Sequence, residues 1–249
     1  MPKFFKFLLF LVIIALAVPI VSSFISSSKS KNKTAETEQE TTSETEIKNL
    51  GTIVIDAGHG GPDPGKIGVN NALEKDINLA ITLMLKELLE KEGFEIVLTR
   101  NSDATMAPMD SKSPKKEDMI ARANLIEQTN PIFTVSIHQN SFPDASVNGP
   151  QVFYYTNSVE GKLLADTIQT TMNEQLKPEK PRVSQFNNAY FLLKNTPTPI
   201  VIVECGFLSN AQEADLLIQE SYQQDIAQAV FDGVLSYYQS TLSTPESSE

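Results

Sequence analysis

The chain of 249 residues carries 31 acidic against 20 basic side chains, a formal net charge of −11 and a pI near 4.7. That balance argues against a nucleic-acid partner, which demands a basic face. One cysteine, Cys205, excludes an intrachain disulfide framework.

Lys3 and Lys6 precede an apolar run from Phe7 to Val21, which Phe24 and Ile25 extend towards the ~20 residues that span a bilayer. Residues 1–25 therefore read as a signal peptide or an N-terminal membrane anchor; either exports the rest of the chain to the cell envelope. Residues 26–49, rich in Ser, Thr, Lys and Glu, read as a flexible linker, because they bury too little apolar surface to offset their ordering entropy. Residues 242–249 read as a disordered tail. The remaining 50–241 suffice for one sizeable core.

Strands and helices alternate along that domain. Thr52–Asp56 is an apolar strand. From Asn71 to Glu92, apolar residues at Leu73, Ile77, Ile81, Met84, Leu85, Leu88 and Leu89 recur at helical spacing, and Gly93 suits a left-handed helix end. Strand Glu95–Thr99, helix Glu117–Gln128, strand Ile132–His138, strand Gln151–Tyr155 and helix Val159–Leu176 follow. Then come strands Tyr190–Leu193 and Pro199–Glu204, helix Ala211–Ile218 capped by Asn210, and helix Tyr222–Tyr238. This order predicts a three-layer α/β fold, a mostly parallel (mixed) six-stranded sheet with helices on both faces, in which Tyr190–Leu193 is a candidate antiparallel strand.

The chain's two histidines, His59 and His138, both stand where a predicted strand gives way to a polar turn. Side chains converge at the carboxyl ends of strands, and neutral imidazole is the commonest zinc ligand. Glu204 ends the buried strand Pro199–Glu204, where a carboxylate is costly unless it is paired or faces a metal. Arg100 is its candidate salt-bridge partner. Glu74 has two readings, a metal ligand near the His59 loop or the end of an Asn71-x-x-Glu capping box. Asp56, Asp63 and Asp76 are rival carboxylates. Asp56 is either an orienting partner of His59 or a turn cap.

Several motifs occur in order: Asp56-Ala-Gly-His59-Gly-Gly-Pro-Asp-Pro-Gly65 with Glu74-Lys-Asp76, Leu98-Thr-Arg100, Arg122-Ala-Asn124, Ser136-Ile-His138-Gln-Asn140-Ser141, and Val203-Glu204-Cys-Gly-Phe-Leu-Ser-Asn210. From about Ile53 to Tyr238 the chain resembles the zinc-dependent N-acetylmuramoyl-L-alanine amidases of the type-3 family. The resemblance implies Zn2+ held by the residues matching His59, Glu74 and His138, with Glu204 as catalytic carboxylate. It implies peptidoglycan glycan-peptide strands as substrate and hydrolysis of the bond between N-acetylmuramic acid and L-alanine. Two imidazoles and one carboxylate would leave an open zinc position, where the pKa of water falls to roughly 7. Gly149-Pro-Gln151-Val-Phe-Tyr-Tyr155 and Tyr190-Phe-Leu-Leu-Lys194 are similar to the sporulation amidases that help form muramic lactam in spore cortex. An accessory activator protein is a candidate partner on family analogy alone. The short span Ser141–Gly149 leaves little room for the inhibitory insertion of some relatives.

Other residues have plainer readings. Gly58, Gly60, Gly61 and Gly65 let the His59 loop turn tightly; the stretch lacks the Lys-Ser/Thr ending of a phosphate loop. Lys66 replaces a smaller residue usual in the family. Asn140 either braces the His138 loop or touches substrate, Asn187, Asn188 and Tyr190 are weak substrate contacts, and Arg122 and Asn124 read as structural. Three rivals stand beside the amidase. A Cys205 nucleophile is disfavoured because Cys205 points to the opposite strand face from Glu204. A zinc carboxypeptidase acting on wall peptides lacks an evident carboxylate clamp, and a non-catalytic peptidoglycan-binding module would not need Glu204.

Overall fold

A computed structural model of the protein describes residues 49–243. The segments assigned above to a signal or anchor, to nearly all of the linker, and to the tail from 244 onward lie outside the described residues. Among the described residues no helix is long and apolar enough to cross a membrane.

The elements run β1 (Thr52–Ala57), α1 (Glu74–Glu92), β2 (Glu95–Leu98), α2 (Pro114–Thr129), β3 (Phe133–Asn140), β4 (Gln151–Tyr154), α3 (Val159–Leu176), β5 (Gln185–Phe186), α4 (Phe191–Asn195), β6 (Ile200–Phe207), α5 (Ala211–Leu217) and α6 (Glu220–Ser243). The sheet order is β2-β1-β3-β6-β4-β5. Strands β2, β1, β3 and β6 are parallel, β4 is antiparallel to β6, and β5 is parallel to β4. The predicted mixed six-stranded sheet is present.

The sheet is buried on both sides, which is why its central strands read as nearly continuous apolar runs. Ile53, Ile55, Val135, Ile137, Val201 and Val203 pack on one face against Ile81 and Leu85 of α1, Ile168 and Met172 of α3, and Val230 and Val234 of α6. Val54, Ile200 and Ile202 point the other way, onto Ala123 and Ile126 of α2 and Leu192 and Leu193 of α4. Each of these Val, Ile, Leu and Met side chains contributes about 1.5–3 kcal/mol by its burial.

Local signals held at two helix ends. Gly93 closes α1 with φ 109°, and the Asn210 side chain accepts hydrogen bonds from Gln212 N and Glu213 N at the start of α5. Helix α6 runs through Ser243, two residues into the assigned tail. Three expectations need correction. Tyr190–Leu193 is not a strand: Tyr190 precedes the short helix α4, and the neighbouring Leu192 and Leu193 are both buried in one cluster. A strand would send those two side chains to opposite faces, so the core selects a helical turn. The sixth strand is instead β5, and the antiparallel member is β4. The capping box at Asn71 does not form either: Asn71 sits in a turn with φ 66°, and Leu73 precedes α1 without a side-chain cap.

Candidate active site

The strand order reverses at β1. Helix α1 leads to β2 on one side, and α2 then crosses back over the other face to β3. A crevice therefore opens beyond the carboxyl ends of β1 and β3, the usual ligand position in such sheets. His59 lies two residues past β1, and His138 lies on β3 in register with Glu204 of β6. A bulge follows at once, since the next paired residues are Asn140 and Phe207.

Glu74, the first residue of α1, sits between the two imidazoles. Its Oε2 lies 3.2 Å from His59 Nε2 and its Oε1 2.9 Å from His138 Nδ1. The rings meet edge to face with centroids 5.0 Å apart. Ligand atoms of the three residues all lie within 4.8 Å of one another. Two imidazoles and a carboxylate are the donor set of an open zinc site, and the loop is shaped to admit them. A Cβ added at Gly58 would fall 2.2 Å from the His138 ring, and one at Gly65, where φ is +69°, would fall 2.6 Å from both Glu74 Oε2 and His59 Cδ2. The residues present fit a divalent metal.

His59 itself has φ 61°, a conformation that costs a non-glycine residue roughly 1–3 kcal/mol. Its Nδ1 lies 2.8 Å from Asp63 Oδ2, leaving Nε2 to face Glu74. A carboxylate on the far nitrogen fixes the tautomer and the ring. The orienting partner is thus Asp63, not Asp56. Glu74 also accepts from the backbone of Lys66 at 2.7 Å and of Gln139 at 3.1 Å. Burial opposes its charge, but the imidazole contacts outweigh burial and hold its carboxyl far below the usual carboxylate range. Burial likewise pulls His138 down, yet the hydrogen bond and charge of Glu74 carry it up to about 9.

Glu204 is 6% exposed. Its Oε1 accepts a hydrogen bond from Tyr190 Oη at 3.1 Å, and its Oε2 has no partner. Burial raises its proton affinity, only partly countered by the nearby His138. Arg100 does not reach it. A cavity of about 260 Å³ joins His59, Glu74, His138 and Glu204 to an apolar wall that includes Met119, Ile202, Phe191 and Leu192.

Of the other predicted residues, Tyr190 lines this cavity, whereas Asp56 and Arg100 do not. Asp56 accepts from Thr99, Ser136 and Arg122 and is fully buried. The Asn140 side chain accepts from Ser141 N, which favours bracing over substrate contact. Cys205 is buried on the opposite face, where burial pushes its thiol far above the usual range; a thiolate nucleophile is excluded. Asn78 was not singled out from the sequence. It donates to Gly58 O at 3.0 Å and lies on the same face of α1 as Glu74, four residues earlier. That spacing was the available signal.

Residues 53–236 match the family model for N-acetylmuramoyl-L-alanine amidases. The chain belongs to this family. The amidase is 34% identical to the germination-specific N-acetylmuramoyl-L-alanine amidase of Bacillus subtilis, over 78% of its own length and 82% of that relative's. Its fold is similar to that of the CwlD amidase of Clostridioides difficile, solved in complex with the GerS lipoprotein, at TM-score 0.74 and 37% identity over 76% of this chain and 99% of that one. It is also similar to the amidase AmiC2 of Nostoc punctiforme, at TM-score 0.68 and 31% identity over 77% and 98% of the two chains. The amidase hydrolyses the amide between N-acetylmuramic acid and L-alanine in peptidoglycan, and so acts outside the cytoplasmic membrane. The carboxypeptidase and binding-module readings give way to it.

Proposed function

We propose that this amidase is a zinc enzyme in which His59, Glu74 and His138 hold the metal and Glu204 moves the proton. The observation that carries the reading is the convergence of those donor atoms beside the buried, unpartnered Oε2 of Glu204. When bound, zinc supplies a Lewis acid for the carbonyl next to the scissile bond and makes water acidic enough to attack near neutral pH. The protein does the rest. Oε2 of Glu204 is the free oxygen that takes a proton from the attacking water, while Oε1 stays with Tyr190. The same buried carboxyl, favouring its protonated form, then delivers that proton to the leaving nitrogen of L-alanine. Asp63 keeps His59 turned toward Glu74. Phe191, Leu192, Met119 and Ile202 keep that side of the cavity dry, which strengthens its electrostatics.

The biological setting we assign is the spore cortex, supported by the likeness to the germination-specific amidase of B. subtilis. Residues 1–25 export the protein, as signal or anchor, and an accessory lipoprotein is the partner to seek, because the similar CwlD was solved with GerS.

The test is release of L-alanine-bearing peptides from muramic acid by the purified protein and by Glu204→Gln, with zinc quantified in both. The expected result is activity in the parent and none in the variant, with zinc retained in each. An active Glu204→Gln protein would remove Glu204 from the mechanism, and a zinc-free but active parent would remove the metal. Adding a lipoprotein of the GerS kind to that assay is expected to raise the rate, and an unchanged rate would dispense with the accessory partner. Normal muramic lactam in spores lacking the gene would remove the cortex assignment.

A further inference from the structure

Where β1 ends, its carbonyls leave the sheet ladder and need new donors. Those of Ala57, Gly58 and His59 are taken by two arginines. Arg122, almost wholly buried, donates from Nη1 to Ala57 O at 2.7 Å and from Nη2 to His59 O at 2.6 Å. Arg100 donates from Nε to Ala57 O at 2.9 Å and from Nη2 to Gly58 O at 3.0 Å. The same Nη2 also reaches Lys75 O at 2.7 Å. One guanidinium thus ties the residue before His59 to the residue after Glu74. Asn78 Nδ2 adds a second donor to Gly58 O.

Arg122 is anchored in turn. Asp118 Oδ2 accepts from its Nε at 2.6 Å and Asp56 Oδ1 from its Nη1 at 2.6 Å. Asp56 is further fixed by Thr99, just past the end of β2, and by Ser136 of β3. Neither arginine lines the cavity that holds Glu204.

A buried arginine that merely satisfied loop carbonyls would be indifferent to which peptides it held. Here the peptides are those that flank two of the three converging donors, and one of them belongs to His59, in its left-handed conformation. A rigid planar fork suits this task in a way a lysine does not.

We propose that Arg122 and Arg100 are positioning residues for the metal site: they hold the strained His59 backbone and fix its distance from Glu74 before metal arrives. The inference rests on the reading of His59 and Glu74 as metal ligands.

The experiment measures zinc affinity by chelator competition on the purified full chain, its Arg122→Lys variant and its Arg100→Gln variant. Metal-free melting temperature and the visible absorption of the cobalt(II)-loaded proteins, which reports ligand geometry, are recorded alongside. Partners that orient metal ligands weaken binding by about 10–100-fold when removed. Arg122→Lys keeps a cation beside Asp56 and Asp118 but loses the fork, so a fall in that range is expected, with an altered cobalt spectrum. Arg100→Gln is the milder change, and about tenfold weaker binding by a folded protein is expected of it. Parent-like zinc affinity and cobalt spectrum in Arg100→Gln, and in any folded Arg122→Lys, with only melting temperatures lowered, would overturn the proposal and leave the arginines structural. A parent that binds no zinc would instead overturn the ligand reading, and the positioning role with it.

Discussion

Replacing Gly58 with alanine separates the stability of the fold from the integrity of the metal site. Gly58 does not have a positive φ, so its backbone accepts alanine without strain. The obstacle is the His138 imidazole, whose nearest atom would lie 2.2 Å from the new Cβ. To regain an ordinary contact of 3.4 Å the ring has to retreat by about 1.2 Å. Metal–ligand distances tolerate only about ±0.2 Å, so such a retreat removes His138 as a ligand. The fold loses less: an off-rotamer imidazole costs roughly 1 kcal/mol, which lowers the melting temperature of a domain this size by about 2–4 °C per kcal/mol. We expect Gly58→Ala to lower the metal-free melting temperature by only a few degrees. Zinc affinity, read by chelator competition, should fall by more than about 100-fold, since a lost ligand exceeds the effect of a lost orienting partner. Zinc should no longer raise the melting temperature, and amide hydrolysis should disappear. A Gly58→Ala protein that bound zinc like the parent and hydrolysed peptidoglycan would show that His138 is not held where the geometry places it.

Tyr190→Phe removes the hydrogen bond that leaves Oε2 as the free oxygen of Glu204; kcat is expected to drop about tenfold, roughly 1.4 kcal/mol, with KM and zinc content unchanged, and an unaltered kcat would remove Tyr190 from the mechanism. The Asp56 carboxyl is buried, which would raise its pKa, but Arg122, then His138 and the hydroxyls of Ser136 and Thr99, bring it down to about 2 from 3.8. Its stabilisation, about 2 kcal/mol, is fully present above pH 4 and is lost as pH falls through 2. Acid unfolding followed by circular dichroism should show that loss between about pH 4 and 2, and Asp56→Asn should be less stable at pH 7 with a shallower slope in that window. Cys205→Ala should retain full activity at a cost of about 1 kcal/mol in stability, and thiol reagents should not inactivate the folded parent; inactivation without unfolding would contradict the burial of Cys205.

Much of the architecture was legible because it is written in short-range patterns. The helical spacing from Ile77 to Leu89, the apolar runs of β1, β3 and β6, and the end signals at Gly93 and Asn210 each depend on neighbours within a turn or a strand. His59, His138 and Glu204 stood out for the same reason, as polar residues where apolar runs stop. Local pattern failed where the decision was tertiary. Tyr190–Leu193 looks extended, and it coils because Leu192 and Leu193 must enter one cluster. Asn71-x-x-Glu74 looks like a cap, and Glu74 instead turns to two imidazoles 15 and 64 residues away in the chain. In sequence Asp56 is the candidate partner of His59 and Asp63 only a rival carboxylate, but the hairpin bond between Gly60 and Asp63 brings Asp63 to the ring. Arg122 read as structural because nothing local reveals that its guanidinium ends on the carbonyl of His59. Residue type and strand position thus determined which groups this protein has for its chemistry. The order of the strands and the crossing of α2 over β1 decided which of them meet, because contacts across a sheet depend on topology that no short window of sequence contains.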